Sequence, residues 1–308
     1  MPPDFLAQTL LPVVLASVML AMGLNLTPRN FIRTWRSPRN ILLGVCLQTL
    51  ALPLLAWAVV LALPLPPLAA AGLLLVSLVP GGATSNMFSY LVRGDLALSV
   101  SLTAIAALQA PFTLPLIMGW NLDLLGLTRE GITLPYWQTV GQLLLVTLLP
   151  VICGMGLRAL LNQERLTGIL PRLRLFTGIA MIVVVLSLFI SHAHRLPRLF
   201  GLEAVGVLLL CTLGMTLGHV LSAQLRLPRT GRRAITVEVG VQNAGVAIMV
   251  AFSIFRQPEL ALVPLLYGLL MNLPVFLWIC ACLWQDRRRA TAAKAAKAAP
   301  AERTARAD

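Results

Sequence analysis

Long apolar runs follow one another through most of this chain, and the short loops between them carry most of its charged residues. About 20 consecutive apolar residues cross a bilayer as a helix. Applied to this sequence, that length predicts nine membrane-spanning helices. Their predicted limits are residues 5–26, 41–62, 68–93, 95–119, 136–160, 175–194, 199–223, 233–255 and 260–284. The pattern predicts an all-α polytopic membrane protein.

The eighth predicted span, residues 233–255, is apolar over most of its length but contains Glu238, Gln242 and Asn243. A carboxylate inside a bilayer costs roughly a few kcal/mol on insertion scales, and such groups are usually functional. Glu238 and Gln242 are four residues apart, so a continuous helix places them on one face. Gly245 weakens that helix nearby. The alternative is a glutamate near the cytoplasmic end of the span, reaching the headgroups or held protonated by a neighbour.

The third predicted span, residues 68–93, is interrupted by Pro80-Gly81-Gly82. Proline removes a backbone donor and glycine releases the backbone, so two half-helices are expected here. An unwound backbone inside a bilayer is tolerated only where it lines a cavity or is buried in protein. Polar Thr84, Ser85 and Asn86 follow the interruption. A proline kink with a glycine-rich helix contact remains the alternative for this span.

The fourth predicted span adds two hydroxyl groups, those of Ser99 and Thr103, which are four residues apart and share one helix face. Taken singly, each hydroxyl is expected to bond to its own helix backbone. Asp95, which directly precedes this helix, is predicted to cap its N-terminus at a cytoplasmic turn.

The third and eighth spans are five helices apart, which is the spacing of a five-helix unit repeated with inverted topology. Nine helices then divide as four plus five. Residues 1–134 form the first predicted repeat, broken near 80–86, and residues 135–285 form the second, broken near 242–246. Paired broken helices of this kind indicate a secondary transporter whose site lies where they cross. Half-helix N-termini there suit an anionic substrate, and unwound carbonyls suit a cation.

Composition and charge agree with a membrane protein. The 308 residues are 58% hydrophobic and 11% charged, whereas about 25% charged residues is typical of soluble domains. The net charge is +13, but the lysines and arginines lie in alternate short loops and in the tail. That distribution indicates orientation, not nucleic-acid binding, and predicts an outside N-terminus and a cytoplasmic C-terminus. Residues 286–308 are predicted to be a basic, disordered cytoplasmic tail.

Two motifs resemble the signatures of the bile acid:sodium symporter family, in its bacterial and organellar branch. The first is PGGATSNMFSYLVRGDLALSVSLT at residues 80–103, and the second is EVGVQNAGVA at residues 238–247. The segments MLAMGLNLTPRNF and LQTLALPLLAW also fit, so the resemblance covers residues 5–285. It implies a core of helices two to four and seven to nine, a panel of helices one, five and six, and alternating access between them. The extra first helix of ten-helix bacterial members is missing.

The resemblance also implies specific site residues in this sequence. The first sodium site would use Ser85, Asn86, Ser99, Thr103 and Glu238. The second would use the side chains of Gln48, Glu238 and Gln242 with the backbone carbonyls of Val239 and Val241. Substrate contacts would come from Ala83, Thr84, Asn243 and Asn272. The family often has Thr-Ala where this chain has Ala83-Thr84, so a hydroxyl near the substrate has moved.

The expected function is sodium-coupled symport of an organic anion, either bile-acid-like or a small carboxylate such as pantoate or pyruvate. Two sodium ions, the anion and membrane lipid are the expected partners, with no nucleic acid and no obligatory protein partner. A bacterial inner membrane is the expected location. One alternative keeps the fold but couples to protons through Glu238, and another is a channel or receptor. The three histidines, His192, His194 and His219, form no catalytic or metal-ligand spacing, so no enzyme is expected.

Overall fold

The fold is known from a computed structural model that describes residues 9–26, 38–191 and 201–304. All regular structure within these ranges is helical, and they contain no strand. The helices are, in chain order, α1 (Leu11–Gly23), α2 (Pro38–Ala62), α3 (Pro67–Leu78), α4 (Ala83–Leu91), α5 (Leu96–Leu124), α6 (Tyr136–Leu160), α7 (Gln163–Ser191), α8 (Leu202–Gln224), α9 (Arg229–Gly240), α10 (Ala244–Met249), α11 (Leu262–Leu270) and α12 (Asn272–Thr304).

Short irregular turns modify several of these helices. A 3-10 turn, Leu127–Glu130, connects α5 to α6. Single π-helical turns occupy Leu47–Ala51 in α2, Leu144–Leu148 in α6 and Val250–Ile254 directly after α10. Such π turns often mark functional positions inside helices.

Seven helical segments of the described ranges are long and apolar enough to cross a membrane, and the bent pair α3 and α4 makes an eighth. α1 is also apolar but has only 13 described residues. The prediction of an all-helical multi-pass membrane protein is therefore confirmed, while the number nine stays a prediction. The fifth span, α6, matches its predicted limits of 136–160. The fourth span, α5, runs beyond its predicted end at residue 119 to Leu124, although it contains Pro111 and Pro115.

Two spans are broken, and the breaks touch. The third span bends by 66° between α3 and α4, with residues 79–82 outside both helices. The eighth span is interrupted at residues 241–243, between α9 and α10. The backbone N–H of Asn243 donates to the Pro80 carbonyl oxygen at 3.0 Å. Val79 and Val241 are almost fully buried, so protein and not lipid surrounds the unwound backbone, as it must in a bilayer.

Both breaks are shorter than the sequence indicates. Ser85 and Asn86 already lie in the first turn and a half of α4, and Gly245 lies within α10. α9 ends at Gly240, so Gln242 stands in the break and does not share a continuous helix face with Glu238. The predicted helix face shared by Glu238 and Gln242 was wrong. Gly240 is the last helical residue of α9, and the backbone of the next residue, Val241, is extended.

The helices pack in two groups. α1 packs against α6 and α7, whereas α8 packs against α2, α9 and α11, and α3 packs against α2, α5 and α11. α4 and α5 both contact α9, and α10 contacts α1. The buried share of residues, taken over the most apolar 18-residue stretch of a span, differs strongly between spans. It is 89% in the broken span 229–254 and 12% in α7. The broken eighth span is therefore the centre of the molecule, and α7 is the least buried of the spans.

At one end of the molecule, Arg233 of α9 joins two other segments, α12 and the end of α4. It forms a two-pronged ion pair with Asp286 of α12, with N–O distances of 2.7 and 3.0 Å. It also donates to the carbonyl oxygens of Val92 and Cys282. Nearby, Asp95 caps α5 by accepting from the N–H groups of residues 97 and 98, which confirms the predicted cap.

The end of the chain differs from its predicted disorder. α12 continues from the membrane span to Thr304, so most of residues 286–308 are helical in the structure. The physical reason is the composition of this stretch, since alanine, lysine, arginine and glutamate have high helix propensity. Two of the histidines considered above, His192 and His194, lie outside the described residues.

Candidate functional site at the helix crossing

The side chain of Glu238 lies at the crossing and is only 1% exposed. Ser99 Oγ donates to Glu238 Oε2 at 2.8 Å, and Thr103 Oγ1 donates to Glu238 Oε1. The predicted hydroxyl pair of α5 therefore reaches the carboxylate, although residues 99 and 238 are 139 positions apart in the sequence. A buried charge is stable only when it is paired and hydrogen-bonded, and two hydroxyl donors meet only part of that requirement.

The hydroxyl protons at this centre are fewer than the oxygens that could accept them. Besides the carboxylate, Ser99 Oγ lies 2.9 Å from Asn86 Oδ1, and Thr103 Oγ1 lies 3.0 Å from the Ser99 carbonyl oxygen. Each hydroxyl has one proton, so two protons serve four acceptor oxygens. With Glu238 ionised, at least two oxygen–oxygen contacts lack a proton. A bound cation would compensate both contacts, whereas one additional proton would supply only one of them.

The break before α4 brings backbone against the same carboxylate. A Cβ on Gly81 would collide with Glu238 Oε1 and would lie 3.1 Å from Ser85 Oγ. Only glycine permits this approach. Ser85 is fully buried and donates to the Gly82 carbonyl oxygen at 2.8 Å. The structure thus brings four of the predicted first-site side chains, those of Asn86, Ser99, Thr103 and Glu238, into one hydrogen-bonded group with Ser85 beside it.

Two glutamine amides near the crossing are not fully paired. Gln242 donates from Nε2 to the Val239 carbonyl oxygen at 2.9 Å, while its Oε1 is buried and has no hydrogen-bond partner in the part of the chain that the structure describes. Gln48 stands in the π turn of α2 and lines a small cavity with Val79 and Pro80. Its Nε2 is likewise buried without a described partner. An unpaired buried oxygen such as Gln242 Oε1 is available to a cation.

The predicted substrate residues divide into two groups. Ala83 is exposed and Thr84 is half-buried, both in the first turn of α4. Asn243 is half-buried and caps α10 by accepting from the Val246 N–H at 3.3 Å. Asn272 is held differently, since its amide nitrogen donates to the carbonyl oxygens of Gly268 and Leu269 at the end of α11. The Asn272 amide hydrogens are therefore used in joining α11 to α12.

Sequence reasoning missed two residues that hold the break after α9. The Tyr267 hydroxyl, on α11, donates to the Gly240 carbonyl oxygen at 2.9 Å, and Cys211 Sγ, on α8, lies 3.2 Å from the same oxygen. Both side chains are fully buried. The available signal was a tyrosine hydroxyl inside an apolar span, because a buried tyrosine usually finds a hydrogen-bond partner.

The donor types at the crossing restrict which cation could bind. Among the described residues, no group of three or more His, Cys, Asp or Glu side chains could hold a metal ion. The crossing instead offers one carboxylate with hydroxyl, amide and carbonyl oxygens. Hard oxygen donors of this kind suit hard cations and not the softer transition metals. A single negative charge further favours an ion of low charge.

Comparison with known proteins gives concordant matches. The model of the Sodium Bile acid symporter family matches residues 12–197. The uncharacterized sodium-dependent transporter YocS of Bacillus subtilis is 28% identical over 244 residues, 79% of this chain and 74% of that protein. The probable chloroplastic sodium/metabolite cotransporter BASS1 of Oryza sativa is 33% identical over 262 residues, 83% of this chain and 62% of that protein. The human ileal sodium/bile acid cotransporter is 28% identical over 269 residues, 85% of this chain and 75% of that protein.

Apolar helices with two crossing interruptions and a buried carboxylate between them define a multi-pass integral membrane protein of the transporter class. Within that class, the chain belongs to the sodium/bile acid symporter family. The family match ends at residue 197, before Glu238 and Gln242, so the crossing residues of the second motif rest on the geometry and on the relatives. The chain spans less than two thirds of the length of the chloroplastic relative.

Proposed function

We propose that this protein is a sodium-coupled symporter of an organic anion. The observation that carries the proposal is the buried Glu238 carboxylate, where two hydroxyl protons serve four acceptor oxygens at the crossing of two broken spans. A sodium ion in this group would compensate the unprotonated oxygen contacts and the carboxylate charge together. The relatives named as sodium-dependent transporters or cotransporters support the same coupling.

Two sodium ions are proposed. The first would be bound by Ser85, Asn86, Ser99, Thr103 and Glu238, which the structure groups around one carboxylate. The second would use Gln48, Glu238 and Gln242 with the carbonyls of Val239 and Val241. Its support is the unpaired buried oxygen of Gln242 near the same crossing.

The proposed substrate is an organic anion that meets the protein at the start of α4. Ala83 and Thr84 lie there, and a helix N-terminus carries a partial positive charge that favours anions. Asn243 stands across the break, where a Cβ on Gly82 would lie 3.2 Å from its Nδ2. Asn272 would contribute only through its oxygen, because its amide hydrogens are used. A small carboxylate such as pantoate or pyruvate and a bile-acid-like anion are both within this class.

The proposed architecture is a nine-helix inverted repeat, with residues 1–134 and 135–285 as its two units. α1, α6 and α7 would form the panel, and the remaining helices would form the core that binds the ions. The proposed orientation in a bacterial inner membrane is N-terminus outside and C-terminus cytoplasmic, and transport would proceed by movement of core against panel.

Proton coupling on the same fold is the second candidate, because one proton on Glu238 would neutralise the carboxylate and supply one of the two protons that the crossing lacks. The side chains of Asn86 and Gln242 favour sodium coupling over proton coupling, because a proton carrier needs only the carboxylate. A channel or receptor would not need the paired interruptions around one acid, and the transporter proposal includes no enzymatic reaction.

Uptake into proteoliposomes tests the proposal. Radiolabelled taurocholate, pantoate and pyruvate are each offered with an inward sodium gradient, and with potassium replacing sodium. Sodium-stimulated accumulation of at least one anion is the expected result. Accumulation driven by a proton gradient without sodium would transfer the coupling role to protons, and no accumulation under any gradient would refute the symporter.

A further inference from the structure

A second cavity lies away from the crossing, between α1, α6 and the end of the α10 segment. This segment consists of α10, the π turn Val250–Ile254 and residues 255–256. Its volume is about 280 Å³, and it is lined by Pro12, Gln142, Val146, Met249, Ser253 and Arg256. The walls come from both packing groups, since α1 and α6 belong to one, whereas α10 packs mainly against α11 of the other. Val146 and Ser253 lie within two of the π turns, which often accompany functional positions.

Arg256 gives this cavity a positive charge. Its side chain is exposed, and no carboxylate of the described residues lies within ion-pairing distance of it. None of the lining residues is acidic. Glu259, the carboxylate nearest to Arg256 in the sequence, does not line the cavity. An unpaired guanidinium is a strong, directional donor to a carboxylate.

Gln142 adds a second donor group. Neither end of its amide forms a hydrogen bond within the described part of the chain, and of the two ends only the oxygen is fully buried. The amide nitrogen is therefore the end that is open to a ligand. Val146 and Met249 add apolar groups to the lining. Few placed polar groups on an otherwise apolar lining are typical of small-molecule sites.

We propose that this cavity, the Arg256 cavity, binds the carboxylate of a short organic anion. Arg256 pairs with the carboxylate, Gln142 donates a further hydrogen bond, and the apolar lining groups contact the short carbon chain. The volume of about 280 Å³ lies just below the roughly 300–1,000 Å³ of pockets for drug-sized ligands, so the size of the cavity favours a short anion over a sterol anion. The inference rests on the proposed function and deepens it by naming the substrate class.

The Arg256 cavity is separate from the crossing. Arg256 is 13 residues beyond Asn243, which at 1.5 Å per residue places it about 20 Å along the span from the break. An anion in the cavity is therefore not in contact with Glu238. The cavity is a docking site at the boundary of the two helix groups, from which the anion passes to the crossing when the groups move.

The test compares Arg256→Gln with Arg129→Gln, an exposed arginine of the 3-10 turn that does not line the cavity. Initial rates of sodium-driven pantoate and pyruvate uptake are measured against anion concentration and, separately, against sodium concentration. Arg256→Gln is expected to raise the KM for the anion by roughly tenfold or more and to leave the half-saturating sodium concentration unchanged. Arg256→Lys should recover part of the affinity, and Arg129→Gln should behave as wild type.

Equilibrium dialysis of the purified protein with the same radiolabelled anions, in sodium and in potassium, separates this inference from the proposed function. Wild-type protein should bind a short anion in either salt, and Arg256→Gln and Gln142→Leu should weaken that binding. If the wild-type protein binds a short anion but does not transport it, and Arg256→Gln loses that binding, symport is refuted and the binding site is retained. Unchanged binding and KM in Arg256→Gln, no binding of either short anion, or an effect confined to taurocholate would overturn the inference.

Discussion

The backbone N–H of Asn243 donates to the carbonyl oxygen of Pro80 over 3.0 Å. This hydrogen bond joins the interruption of the eighth span to that of the third, so each break satisfies a polar group of the other. Because buried backbone groups must be paired in a membrane, the two breaks stabilise one another. This junction lies beside Gly81, which is packed against Glu238 and Ser85.

Replacing Glu238 by glutamine should abolish sodium-dependent uptake while the protein still inserts in the membrane. The change removes the negative charge and keeps the size of the side chain, but it replaces one of the two acceptor oxygens by an NH2 donor, so only one of the Ser99 and Thr103 hydroxyls can still donate to it. We expect the apparent sodium affinity to fall by about 100-fold or more, measured as uptake against sodium concentration. Glu130→Gln, an exposed carboxylate of the 3-10 turn, is the control. Uptake of Glu238→Gln with the wild-type sodium titration would exclude the proposed ion sites.

Replacing Gln242 by leucine should weaken sodium binding more than it destabilises the folded protein. The side chain loses its unpaired buried oxygen and one hydrogen bond to Val239, and these two changes act in opposite directions on stability. We expect thermal unfolding within about 1–2 kcal/mol of wild type and a half-saturating sodium concentration roughly tenfold higher. A sodium titration that does not move in this variant would count against the second site.

Gly81→Ala should destabilise the crossing. The new methyl group would collide with the Glu238 carboxylate, and overpacking of this kind typically costs about 1–3 kcal/mol. We expect a lower unfolding temperature and reduced sodium-dependent uptake. The control is Gly119→Ala in α5, where a Cβ meets nothing within 4 Å and should stabilise the helix by about 0.5–1 kcal/mol. Equal unfolding temperatures for the two variants would contradict the close approach at Gly81.

Tyr267→Phe should loosen the end of α9 without disrupting the fold. The variant removes the hydrogen bond to the Gly240 carbonyl oxygen, while Cys211 remains beside that oxygen. A loss of about 0.5–1.5 kcal/mol in the free energy of unfolding is expected, together with weaker sodium dependence, because Gly240 lies between Val239 and Val241. Tyr90→Phe, at an exposed tyrosine of α4, should change neither quantity. If both variants behave alike, the Tyr267 hydroxyl has no role at the break.

The helices and the carboxylate centre could be predicted because their signals are local. Apolar length fixes the spans, and Glu238 in such a span indicates function by its cost alone. The grouping of Ser99 and Thr103 around Glu238 was implied only by the family resemblance, since residues 139 apart in sequence give no local signal of contact. The separation of Gln242 from the α9 helix face, and the contact of Tyr267 with Gly240, follow from the packing of α8 against both α9 and α11. Packing between distant segments leaves no periodic pattern in either one.

The depth of Glu238 has an electrical consequence. α9 begins at the exposed Arg229, so Glu238 lies nine residues, or about 14 Å, along the helix from that surface. This is close to half of the roughly 30 Å hydrocarbon thickness. A cation moving from either surface to Glu238 therefore crosses about half of the membrane potential. At about 2.3 kcal/mol per charge per 100 mV, the potential itself changes the occupancy of the crossing by several-fold.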